Sequence, residues 1–168
     1  SSDPKLLDLM GRHHDCACME RGMTMLKKYG IENISLDLMY SLPFQTMEML
    51  QKSVEDALQL QPRHLSLYSL TVEENTVFGK KGYRNLDEDE EADMYEWICS
   101  FLPQNGFTQY EVSNFCRDGY ESLHNLGYWH YDDFYGIGCG ASGKENHVRY
   151  DHPKNLRRYL EDPLYVEK

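Results

Sequence analysis

The stretch ENISLDLMYSLP, residues 32–43, alternates without a break. Ile34, Leu36, Leu38, Tyr40 and Leu42 fall on one side of an extended chain, Ser35, Asp37, Met39 and Ser41 on the other, and Pro43 ends the run. Helical spacing follows over residues 46–60 through Met47, Leu50, Val54 and Leu58, and Pro62 closes it. HLSLYSLTV, residues 64–72, then reads as a second strand. Two strands joined by a crossover of about twenty residues make a parallel β-α-β unit, a connection that is right-handed almost without exception. This pattern restricts the chain to the α/β class.

The flanking segments fit that class. Residues 15–29 space Met19, Met23 and Leu26 for a helix, with Asp15 as N-cap and Gly30 as the stop. Residues 87–93 hold six acids in seven positions, followed by Met94, Trp97, Ile98, Phe101 and Leu102 on one helical face. Acids suit the positive end of a helix dipole, so the charge run reads as a solvated helix start capped by Asp87 or Asn85, with Pro103 disturbing the last turn. From residue 107 the texture is shorter and richer in glycine and aromatics. FTQYEVSNF, FYGIGCGASG and HVRYD read as short strands or strand-loop junctions, and 153–161 as a terminal helix. We expect residues 1–168 to form a single domain, with β/α units over 1–80 and a helix plus β-rich extension over 81–168.

The net charge of -11 opposes the basic patches that nucleic-acid binding needs, so no nucleic-acid partner is expected. No apolar run reaches the roughly 18 residues of a membrane span. Cys16, Cys18, Cys99, Cys116 and Cys139 are odd in number, which favours reduced thiols and a cytoplasmic setting over a disulfide framework. Cys16 and Cys18 lie two apart on a helix and diverge by about 200°, so they cannot share one metal while it is formed. The start SSDPKLLDLM carries neither an initiator methionine nor a signal-peptide pattern, and reads as the beginning of a segment of a longer protein.

Three places bear chemistry. Ser35, Asp37 and Ser41 give the first strand a polar face, which suits a barrel lumen holding a ligand as well as it suits water. Glu73, Glu74 and Thr76 follow the second strand, at the edge where parallel sheets bind ligands. In ESLHNLGYWHYDDF, His124 and Tyr128 are four apart, a spacing that puts them on one side of a helix or a strand alike. Haem asks for a neutral imidazole, a group to orient it, flat aromatic surface and cations for the propionates. His124, Asn125, Tyr128 with Trp129, and Arg117 or Arg149 offer these in turn, although a histidine among aromatics is also a common structural residue. Neither His13-His14-Asp15-Cys16 nor His130 with Asp132 and Asp133 has recognised ligand spacing.

Taken in order, LLDLMGRHH, ISLDLMYSLPFQT, HLSLYSLTVEENT, QYEVSNFCRDGYESLHNLGYW and YGIGCGASG resemble the oxygen-independent coproporphyrinogen-oxidase-like radical-SAM proteins over residues 5 to 160. HNLGYW, as an H-N-x-x-Y-W motif, resembles the haem-chaperone branch most. The resemblance implies the later part of a partial (β/α)6 TIM-like barrel with an irregular β-rich C-terminal extension. It also implies S-adenosylmethionine near Arg12, Asp37 and Thr71, and haem iron on His124. A [4Fe-4S] cluster is implied as well, but no cysteines here follow its C-x-x-x-C-x-x-C spacing, so its ligands would lie outside this chain and the segment alone would be inactive. Ser41-Leu42-Pro43 stands where the family usually has Gly-Leu-Pro, and Ser142 stands where it usually has a histidine. The expected function is haem binding and transfer to haem-accepting proteins. The alternatives are an oxygen-independent coproporphyrinogen III dehydrogenase and a structural module without a ligand. A barrel cut before its first strands exposes a sheet edge, which predicts self-association.

Overall fold

The computed structural model describes residues 1–167. The chain divides into two compact units, Ser1–Glu121 and Ser122–Lys168, where the sequence reads as one domain with β/α units over 1–80 and an extension over 81–168.

The first unit opens with α1 (Pro4–Leu9) and α2 (Cys16–Lys28), followed by β1 (Ser35–Tyr40), α3 (Met47–Gln59) and β2 (His64–Ser69). The short α4 (Val77–Lys80), the long α5 (Glu88–Gln104), β3 (Thr108–Gln109) and β4 (Asn114–Cys116) complete it. β1 and β2 pair in parallel, Ser35 opposite His64 through Tyr40 opposite Ser69, which is the expected β-α-β unit. β4 adds antiparallel to β2, and β3 to β4, giving the order β1-β2-β4-β3 with β1 at an edge.

Local chemistry places the helix starts. The carboxylate of Asp15 accepts from the Cys18 amide at 2.7 Å, and Thr46 caps α3. Asp87 caps α5, whose first turn carries Glu88, Asp89, Glu90 and Glu91. Pro103 sits in the last turn of α5 without ending it before Gln104.

The alternation of β1 sorts its faces as the sequence suggests. Leu38 and Tyr40 join Leu65, Leu67 and Phe115 against Leu50 and Val54 of α3 and Met94, Ile98 and Leu102 of α5. Val54, Leu65, Ile98, Leu102 and Phe115 are completely buried. Each such side chain contributes about 1.5–3 kcal/mol on leaving water, and together they fix the sheet to α3 and α5.

The second unit contains α6 (Leu123–Trp129), β5 (Ser142–Glu145), β6 (Val148–Asp151) and α7 (Leu156–Glu161). β5 and β6 form an antiparallel hairpin. Its two connecting residues, Asn146 and His147, both have positive φ, 49° and 67°. This is the type I′ geometry that matches strand twist, and asparagine tolerates it well. Tyr150 crosses so close to Gly143 that a Cβ there would come within 2.2 Å of its ring. The same Tyr150 hydroxyl accepts from the Gly136 amide at 3.1 Å, tying the glycine-rich stretch to the hairpin. Among the described residues no helix is long and apolar enough to cross a membrane.

Candidate functional site

The C-terminal ends of β1 and β2 are held by one carboxylate. Ser41 Oγ donates to Glu91 Oε2 at 2.9 Å and Ser69 Oγ donates to Glu91 Oε1 at 2.7 Å, so both oxygens of a side chain on α5 are committed to two neighbouring strand ends. Ser41 is fully buried and left-handed, with φ 57°. A side chain at that φ costs about 1–2 kcal/mol, and the bond to Glu91 offsets it. Beside this clamp lies a cavity of about 490 Å³ bordered by Tyr40, Thr71, Asn85 and Glu91. Asn85 accepts the Val72 amide at 2.7 Å, which fixes the segment just past β2. Burial pushes the Tyr40 phenol up to about 12, with Glu91, Tyr95 and Cys99 adding to the effect, so it stays protonated.

The polar face of the sheet carries a hydrogen-bonded line. Ser35 Oγ lies 2.8 Å from His64 Nδ1, and His64 Nε2 lies 2.8 Å from the Tyr110 hydroxyl. Burial lowers the pKa of His64 against the opposing pull of Asp37 and Glu111. Asp37 projects from this face beside Ser66 in the register, and it is exposed.

Of the residues expected around S-adenosylmethionine, Thr71 and Arg12 border different cavities. Thr71 borders the one at the strand ends, while Arg12 borders a separate space of about 460 Å³ between the first two helices. Asp37 is exposed, and among the described residues β1 is an edge strand, so of the two readings of its polar face this chain by itself shows the one open to water. Cys16, Cys18 and Cys139 are exposed, and among the described residues no group of His, Cys, Asp or Glu is arranged to hold a metal. The residues present therefore do not fit an iron-sulfur cluster.

The aromatic stretch is better gathered. Ser122 caps α6 by accepting the Asn125 amide at 3.3 Å. In the helix so started, His124 and Tyr128 form one ridge and Asn125 and Trp129 the next. The His124 and Tyr128 rings meet edge to face with centroids 4.8 Å apart, and Tyr128 meets Phe134 in the same way at 4.8 Å. His124 is exposed, with Tyr128 47% and Trp129 60% exposed, leaving flat aromatic surface beside an accessible imidazole. Of the two cations considered for propionates, Arg117 lies over the Phe107 ring in the first unit, whereas Arg149 stands on β6 in the same unit as His124.

The solved structure of the Escherichia coli radical-SAM enzyme coproporphyrinogen III oxidase, HemN, superposes with a TM-score of 0.80. It covers 98% of this chain and 42% of its own, at 16% identity, and so speaks for the fold. Heme chaperone HemW of Lactococcus lactis subsp. lactis is 46% identical over 159 residues, 92% of this chain and 42% of that protein. Heme chaperone HemW of Bacillus subtilis is 40% identical over 167 residues, 97% of this chain and 44% of that protein. The chain belongs to the HemN/HemW radical-SAM family, on its HemW branch. It spans less than half the length of these HemW relatives. No family model matches it. The left-handed φ of Ser41 gives a physical reason why the family resemblance leads one to expect glycine there. Sequence reasoning missed Glu91 and Lys144; the serine in a glycine position was the one signal pointing toward the former.

Proposed function

We propose that this chain is the part of a cytoplasmic HemW-type protein that receives haem as cargo and presents it for transfer to a haem-accepting protein. The observation that carries the reading is the accessible imidazole of His124 packed edge to face on Tyr128, with Trp129 on the neighbouring ridge of α6. His124 would ligate the iron through a neutral ring nitrogen, Tyr128 and Trp129 would cover part of the macrocycle, and Asn125 would help orient the group. An exposed site suits a carrier, because cargo that must leave cannot be enclosed by the core.

Arg12, Asp37 and Thr71 would contribute to S-adenosylmethionine binding together with residues outside this chain, which would also supply the thiolates of the [4Fe-4S] cluster. When bound, the cluster and S-adenosylmethionine supply reductive radical chemistry. This chain's own contribution there is to hold the ends of β1 and β2 in place through Glu91.

Haemin titration followed by the Soret band tests the reading. Saturable binding, weakened about tenfold or more in His124→Ala as expected for loss of an iron ligand, supports it. An unchanged spectrum, or equal binding by the variant, overturns it.

A further inference from the structure

The β5–β6 hairpin places Lys144 directly opposite Arg149. Like charges in that position repel and destabilise a strand pair. Both side chains border one cavity of about 420 Å³, whose wall includes Tyr128, Phe134 and Asp132. Lys144 is 2% exposed in its side chain. Its ammonium donates to Asp133 Oδ1 at 2.9 Å and to the Tyr131 carbonyl at 2.6 Å, and lies 4.1 Å from the centre of the Tyr131 ring. That set neutralises and desolvates the lysine in place. Arg149 is different. It is exposed and forms no ion pair among the described residues, not even with Asp132 across the same cavity. A planar guanidinium beside an aromatic wall is suited to a carboxylate that arrives on an aromatic ligand, because the fork donates to both oxygens at once. Tyr128 both borders this cavity and packs on His124.

We infer that the Lys144–Arg149 cavity is a carboxylate subsite, in which Arg149 binds a propionate of the macrocycle whose iron His124 ligates. The inference rests on the haem reading above and adds the second anchor. A carboxylate seated there pairs the one cation of the hairpin that has no ion partner among the described residues and sets the orientation of the macrocycle on α6.

Haemin and haemin dimethyl ester, which has no free carboxylates, separate the two ideas when titrated into the purified protein, into Arg149→Gln, Arg149→Lys and His124→Ala. We expect Arg149→Gln to weaken haemin about 5- to 20-fold, in line with a partly exposed charge-assisted pair, and to leave the ester unchanged. Arg149→Lys should recover part of the loss, and His124→Ala should weaken both ligands. Far-UV circular dichroism checks that the hairpin variants fold. If Arg149→Gln binds haemin like the wild type while His124→Ala does not, the carboxylate subsite is overturned and the haem reading stands. An equal loss for haemin and the ester in Arg149→Gln also overturns it. Wild-type protein that binds neither ligand overturns both.

Discussion

Replacing Ser41 with glycine should change sign in its effect when Glu91 is removed. In the intact protein the substitution relieves a left-handed side chain, worth about 1–2 kcal/mol. Against this, it loosens the unfolded chain by about 0.4–1 kcal/mol and deletes the hydrogen bond from Ser41 to a carboxylate, worth about 1.5–3 kcal/mol. The net expectation is a loss of about 1 kcal/mol. Ser41→Ala keeps the unfavourable φ and loses the bond, so it should cost about 2 kcal/mol or more. With Glu91→Ala already present, the bond at 2.9 Å no longer exists to be lost. Only relief and chain entropy remain, and Ser41→Gly should then stabilise by about 0.5 kcal/mol. The coupling energy is therefore about 1.5 kcal/mol or more. Urea unfolding of the four proteins of the cycle, read by far-UV circular dichroism at equal m-values, measures it. A Ser41→Gly effect of the same sign and size in both backgrounds would refute the claim that Glu91 compensates for this backbone conformation. Ser69→Ala, which breaks the other arm of the clamp, should leave the sign of the glycine effect in the wild-type background unchanged.

Two further outcomes follow from the packing. Because burial lowers the pKa of His64, the unfolded chain binds its proton more tightly than the folded one. His64's contribution to stability is thus complete above its ordinary value of 6.5 and declines as pH falls below it toward the lower folded value; urea midpoints of the wild type should drop over that range more steeply than those of His64→Gln, and parallel curves would refute the assignment. Gly143→Ala forces a methyl group to within 2.2 Å of the Tyr150 ring and 2.6 Å of the Gly136 amide nitrogen, so the β5–β6 hairpin should lose its amide protection in hydrogen exchange, at a cost of about 3 kcal/mol or more; unaltered protection would show that the ring moves aside cheaply.

The parts of the fold legible in the sequence are those with a sustained period. β1, α3 and β2 follow from Ile34 to Leu67 because each alternation or helical stripe matches a face that the core covers. Asp15, Thr46 and Asp87 each cap a helix at the site where a short polar side chain precedes the stripe. The antiparallel addition of β4 to β2 was not legible, since three residues carry no usable period. α6 offered a spacing common to helix and strand, and the Ser122 cap decides between them. The link from Ser41 to Glu91 crosses 50 positions, and that from Lys144 to Asp133 depends on a turn that no local pattern announces. Asp37 shows the opposite limit. Its place on a polar face follows from the alternation, but whether such a face is enclosed depends on which strands stand beside it, and among the described residues none lies beyond β1.

The division at residue 121 separates two kinds of chemistry along the chain. The strand ends clamped by Glu91 belong to the first unit, while the imidazole, its aromatic neighbours and both hairpin cations belong to the second. On the haem reading proposed above, substitutions that retune affinity for the cargo would fall in the shorter unit, outside the β-α-β scaffold. Were that reading to hold, a lineage could alter its cargo while leaving the Glu91-clamped strands as they are.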